Sequence, residues 1–161
     1  YLSTKSKSSI EKSLKYNLQH LALSKQLKDT AQFARSYFNL SGTEEESKNW
    51  NMAMAYLDSG YLFIDKTDSI DLFDYHANKA SLFMELKNYK KAGRYADSAL
   101  FFVQKMNHKI GITQSYNLIS KIAQMQGDYK RALEYSDLER GIKDSISNVD
   151  KIEAVAELEK K

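Results

Sequence analysis

The side chains able to do chemistry in this chain are few and scattered. Three histidines, His20, His76 and His108, lie far apart. None has a second histidine or a carboxylate at the helical spacing that would put two metal ligands on one face, so a metal site is not expected. His76 reads as a helix-packing ring. Serines are abundant, yet none sits in a strand–turn–helix elbow and no histidine is placed to activate one, which argues against nucleophilic catalysis. The glycines Gly42, Gly60, Gly93, Gly111, Gly127 and Gly141 occur singly, so no glycine-rich loop is available to cradle a phosphate. Asn39-Leu40-Ser41 has the form of a glycosylation sequon, but it falls inside a helical pattern. No catalytic, cofactor-binding or metal-ligating residue is assigned, and the chain reads as a non-enzyme. The chemistry that remains is that of a surface, and a scaffold has to present it.

Composition says what that scaffold is made of. A chain of 161 residues with 42% hydrophobic and 28% charged side chains has the makeup of a folded protein, and its length suits one unit or a short stack of repeats. It contains no proline and six glycines, too few of the residues that punctuate tight β-turns, which favours an all-α fold with short polar turns. The net charge of +3 comes from interleaved acids and bases, so no basic stripe for nucleic acid is expected. The absence of cysteine removes disulfides and thiolate sites and fits either side of a membrane. No apolar run approaches the roughly 20 residues that span a bilayer, and residues 1–10 are polar, unlike a signal peptide.

The chain repeats. Lys48-Asn49-Trp50-Asn51-Met52-Ala53, Lys87-Asn88-Tyr89-Lys90-Lys91-Ala92 and Gly127-Asp128-Tyr129-Lys130-Arg131-Ala132 align a polar residue, an aromatic and an alanine, with the alanines 39 and 40 positions apart. A degenerate copy places Ser9 and Ser13 in the same register. A tyrosine follows each anchor by three positions (Tyr16, Tyr56, Tyr95, Tyr135), and an aspartate follows three of them by five (Asp58, Asp97, Asp137). Ser9, Asn49, Asn88 and Asp128 can each accept a hydrogen bond from free amides of a first helical turn, so each is expected to begin a helix. Apolar residues then recur at helical spacing. Upstream of each lies a second helical stretch, about residues 30–45, 70–86 and 111–126. The unit is therefore an antiparallel helix pair, whose apolar face is buried only by stacking on neighbours.

These residues resemble the tetratricopeptide repeat. Ala53, Ala92 and Ala132 match the alanine where that family's two helices cross. Ser41, Ala80 and Ser120 match the small residue of the first helix, Tyr37, His76 and Tyr116 the bulky position, and Leu40 and Ile119 the leucine. Departures are a period longer than the usual length of about 34, Glu44 where an aromatic is expected, Lys79 in place of the leucine, and no closing proline. The resemblance implies a right-handed α-solenoid of about three and a half repeats plus a C-terminal helix. The expected division is residues 1–28 as the second helix of a truncated repeat, repeats at 29–66, 67–107 and 108–142, and a capping or linker helix at 143–161. An array that opens partway through a repeat implies a natural protein extending further toward the N-terminus. The tail, with Ile146, Val149, Ile152, Val155 and Leu158 at spacing three, resembles the segment after repeat arrays in membrane-anchored signalling regulators of the Bacteroidetes type. That implies an extracytoplasmic, periplasmic sensing region with any membrane contact made by a segment outside this chain.

In this family the first helices line the concave face. The resemblance thus nominates Arg35, Phe38, Asn39, Glu45 and Glu46 on the first such helix, Asp74, Asn78, Ser81, Met84 and Glu85 on the second, and Gln114, Asn117, Lys121 and Gln124 on the third. The first two contributions are acidic and partly apolar, suiting a protein or peptide segment with some positive charge. Asn117 and Lys121 lack the rest of the family's carboxylate-gripping set, which disfavours capture of a free C-terminus. The expected function is a non-catalytic interaction module with no cofactor. Its rivals are a small-molecule sensor pocket and a homodimer scaffold using Tyr61, Phe63, Phe101 and Phe102.

Overall fold

Helix boundaries follow the polar residues that can satisfy free amides. Asp29, Asp68, Asn88 and Asp128 accept from backbone amides two or three residues ahead, at 3.0 Å from Gln32, 2.7 Å from Ile70, 3.2 Å from Lys91 and 3.1 Å from Arg131. His108 does the same through its ring nitrogen, which lies 3.1 Å from the Gly111 amide. The computed structural model describes the backbone of residues 2–158 and the side chains of residues 7–148. Within those residues the chain forms seven helices and no strand: α1 (Leu2–Leu27), α2 (Thr30–Glu46), α3 (Trp50–Tyr61), α4 (Ser69–Glu85), α5 (Tyr89–Lys105), α6 (Lys109–Gln126) and α7 (Tyr129–Leu158).

Consecutive helices pack on one another along the whole chain, and α4 additionally touches α2 and α6. The first helices of successive pairs thereby form a continuous inner layer, which makes the architecture an all-α solenoid of stacked pairs. Small residues set the crossing distance: Ser41, Ala53, Ala80 and Ala92 have no exposed surface. Two clusters complete the core. One joins α2, α3 and α4 through Phe38, Leu57, Leu72 and Leu82, and the other joins α4, α5 and α6 through Phe73, Leu100, Val103, Ile119 and Ile122. Gly60 is a point of closest approach, since a Cβ there would sit 2.6 Å from the Phe38 ring.

Five turns share one geometry. Lys28, Lys48, Lys87, Asn107 and Gly127 are left-handed, and each is followed by the residue that starts the next helix. The amide of that following residue donates back to a carbonyl five residues earlier, as from Asn49 to Glu44 at 2.8 Å and from Asn88 to Phe83 at 2.8 Å. This closure satisfies the last free carbonyls of the preceding helix. It also explains how the array manages without proline.

Three expectations change. Ser9 does not begin a helix, because α1 runs unbroken from Leu2 and nothing in that stretch terminates it. The separate helix expected at 143–161 is instead the continuation of α7 from Tyr129, since no glycine-type turn or capping pair interrupts residues 140–148. Of the tail's apolar stripe, Val149, Ile152, Val155 and Leu158 lie outside the described side chains. The third change concerns Asn49, which precedes α3 but makes no capping bond with its side chain, donating instead to Glu44 Oε2 at 2.9 Å. Among its described residues α1 supplies none to either core cluster. It is held by polar contacts: His20 Nδ1 lies 2.6 Å from Ser36 Oγ, and Asn17 donates to Thr43 Oγ1 at 3.0 Å.

A left-handed backbone disfavours any side chain with a Cβ. Replacing Lys48 or Lys87, with φ of 58° and 57°, by glycine should therefore raise stability by about 0.5–1 kcal/mol each, less glycine's own entropy loss. Urea unfolding midpoints of Lys48→Gly and Lys87→Gly against the parent check this, and lower midpoints would show that the lysine side chains contribute more than the backbone strain costs.

Candidate functional site

Three adjoining hollows run across the inner layer. The largest, about 750 Å³, lies between α1, α2 and α4, with Tyr16, Asn17, Arg35, Asn39, Glu46, Asp74 and Asn78 among its lining and Phe38 at its floor. The second, about 350 Å³, shares Asp74 and Asn78 and adds Ser81, Met84, Gln114, Asn117 and Lys121. A third, about 360 Å³, shares Gln114 and Asn117 and ends at Glu139 and Lys143 of α7. Because neighbouring hollows share side chains, they form one groove along the first helices.

Most residues nominated from the sequence meet there: Arg35, Asn39, Glu46, Asp74, Asn78, Ser81, Met84, Gln114, Asn117 and Lys121. Phe38 also lines the first hollow, from its floor. It is 9% exposed and belongs to the core, drawn in because Gly60 leaves room for its ring. Glu45 and Glu85 lie outside the three hollows, and so does Gln124, an exposed residue in the last turn of α6.

The electrostatics are mixed. Burial, then the neighbouring Asp71, raises the pKa of Asp74, while Arg35 and His108 oppose that rise. Burial favours the neutral form of Glu139 as well, but hydrogen bonds from Lys143 and Asn117 outweigh it and hold the carboxyl below its usual range. Lys143 Nζ lies 2.6 Å from Glu139 Oε1, and the Asn117 amide 3.0 Å from Oε2. Glu45 is pushed up to about 7 by burial and by Glu85. The expected acidic groove thus contains Arg35 and Lys121 among its acids, and the Glu45 and Glu85 carboxyls lie beside it.

Asn39 and Asn78 each stand ten residues after the residue capping their helix, Asp29 and Asp68. Among the described residues neither side-chain amide has a hydrogen-bond partner in the protein, and Asn39 is exposed. Asn117 stands nine after its cap, His108, and its amide is spent on Glu139. Sequence reasoning missed Tyr16, Asn17, Glu139 and Lys143, since the repeat register assigned α1 and α7 to the outer layer. The α1–α2 and α6–α7 contacts that bring them in join residues about 22 apart, which no periodicity marks.

The histidines take structural posts. His108 caps α6, His20 bridges to Ser36, and His76 stacks on Phe102 with centroids 5.4 Å apart at 15°. Burial lowers the pKa of His76, keeping a neutral packing ring. Among the described residues no three potential metal-ligating side chains converge. No described helix is long and apolar enough to cross a membrane. The apolar patch proposed for dimerisation is mostly committed elsewhere. Tyr61 packs on Tyr75 at 4.3 Å, Phe63 stacks on Tyr37 at 5.9 Å and 9°, and Phe102 holds His76, leaving Phe101 at 61% exposed.

No protein-family model matches the chain, and no curated protein matches it. Among solved structures, the crystal structure of BtubC (BKLC) from P. vanneervenii superposes with a TM-score of 0.76 at 15% identity, covering 87% of this chain and 59% of that one. This chain therefore spans less than two thirds of BtubC, and at that identity the likeness shows a shared fold alone.

Glu45 supplies a pH test. Its folded pKa of about 7 exceeds the reference value of 4.5, so it binds its proton more tightly when folded, and stability falls as pH rises through that window. Glu45→Gln should match the parent at pH 4 and exceed it at pH 8 by about 1–2 kcal/mol, discounted for solvent screening. Urea midpoints at the two pH values decide, and an equal gain at both would place the effect outside Glu45 ionisation.

Proposed function

We propose that the groove receives an extended peptide segment of a partner protein, and that the chain works by holding that segment without chemistry. The observation carrying this reading is the pair of free amides, Asn39 and Asn78, at one repeat position of α2 and α4, on the rim of the 750 Å³ hollow. A carboxamide offers a donor and an acceptor together, which is what a peptide bond of an extended chain needs, and successive helices offer it again further along. Binding through the main chain leaves selectivity to the flanking groups. Glu46 and Asp74 favour a basic side chain in the first hollow, Arg35 beside them accepts an acidic one, and Met84 with Leu118 in the second hollow favours an apolar one. The tetratricopeptide resemblance supports the same reading, and the resemblance of the tail to Bacteroidetes-type regulators extends it to the docking part of a larger signalling protein. Glu139 and Lys143 close the far end of the groove with each other, so the binding register begins at the α1 end.

A peptide selected against the 161-residue chain from a random display library provides the probe. Each lost amide contact removes about 1 kcal/mol, so Asn39→Ala with Asn78→Ala should weaken binding of the selected peptide about 10- to 30-fold by calorimetry, while Gln124→Ala leaves it unchanged. Equal affinity for the double variant and the parent would remove the groove reading.

A further inference from the structure

A second cleft lies away from the groove, lined by Phe83 of α4 and Lys91, Arg94, Tyr95 and Ser98 of α5, with a volume of about 330 Å³. Its origin is visible by comparing two equivalent places in the array. Lys91 and Arg131 each precede the repeat alanine, and Asp58 and Asp97 each follow it by five positions. Between α5 and α7 the pair forms: Arg131 lies 2.7 Å from Asp97. Between α3 and α5 it does not, because Asp58 is taken at 2.5 Å by Lys79 of α4, a lysine with 6% of its side chain exposed. Lys79 occupies the position that Ile119 fills in the next pair, where an aliphatic side chain cannot compete for the aspartate. Lys91 is left over the Phe83 ring, 5.1 Å from its centroid, and Phe83 in turn stacks on Tyr95 at 5.4 Å and 20°.

Arg94 lies three residues on, on the same helix face as Lys91, and neither has an ion-pair partner among the described residues. The equivalent of Arg94 in α7 is Glu134, two residues after the alanine, so two like charges crowd one cleft only in α5. The nearest repeat aspartates, Asp58 and Asp97, are both engaged. An anion entering here meets an ammonium and a planar guanidinium, the latter matched to a carboxylate, and its apolar body meets two aromatic rings.

We propose that this cleft binds an aromatic carboxylate. Lys79 creates the site by diverting Asp58, Lys91 and Arg94 hold the carboxylate, and Phe83 and Tyr95 receive the ring. Benzoate titrated into the 161-residue chain and followed by amide NMR is the test, with benzyl alcohol as the neutral control. The expected result is saturable shifts at Phe83 and residues 91–98 with benzoate and none with benzyl alcohol. Lys91→Gln with Arg94→Gln weakens binding about tenfold or more, the loss of two charge-assisted contacts. Lys79→Leu keeps the fold, frees Asp58 to reach Lys91 and weakens benzoate similarly. Equal shifts from benzyl alcohol, parent-like binding by the double variant, absence of saturation, or a Lys79→Leu protein that binds as tightly as the parent would each overturn the assignment.

Discussion

Everything in this structure follows from how closely two helices of a pair can cross. Ser41 against Ala53 and Ala80 against Ala92 place small, fully buried side chains on both sides of the crossing, so the backbones approach and the bulkier residues are displaced to either flank. Phe38, Leu57, Leu82 and Ile119 then fill the flanks as two clusters. Interiors of this kind are packed as densely as crystals, and an added methylene is felt. Where the small-residue rule weakens, so does the packing. Ser120 and Ala132, in the last pair, are only half-buried, and the Ser120 hydroxyl donates to the Ala132 carbonyl at 2.7 Å, substituting a polar contact for apolar contact area.

The recurring alanine and the capping asparagine or aspartate made the helices and their pairing legible before any coordinates. Local chemistry determines both, so a single chain carries the information. Less legible was everything decided by contact between layers. Phe38 was nominated for the groove by the family resemblance and does line it, but as a buried floor residue, because Gly60 on the facing helix makes room for its ring. Ser9 looked like a cap because it shares the register of Asn88 and Asp128, but a cap needs a non-helical residue before the helix it starts, and α1 is already helical from Leu2. The length of α7 was hidden for the converse reason: the repeat ended, yet nothing ended the helix.

Lys79 shows how one departure from the repeat pattern reaches two surfaces. Its stem packs at the crossing while its charge seeks Asp58, passing the Tyr75 and Phe83 rings at 5.7 and 6.0 Å. A buried charge is tolerated only when paired, so Asp58 is held there, and on the outer flank of α5 Lys91 and Arg94 have no ion-pair partner among the described residues. Burial and the nearby Asp58 carboxylate together push the Tyr75 phenol far above its ordinary range. The inner face is spared these charges, and its free asparagine amides remain the most distinctive feature of the groove.

The decisive measurement compares the stability of Ala92→Leu and Lys90→Leu, two positions in the first turn of α5 with opposite surroundings. Ala92 is fully buried and Lys90 is exposed. If close crossing holds the pairs together, Ala92→Leu loses about 1–3 kcal/mol through overfilling while Lys90→Leu stays near the parent. Equal urea midpoints for the two variants would contradict the packing on which the groove, the cleft and the array itself are built.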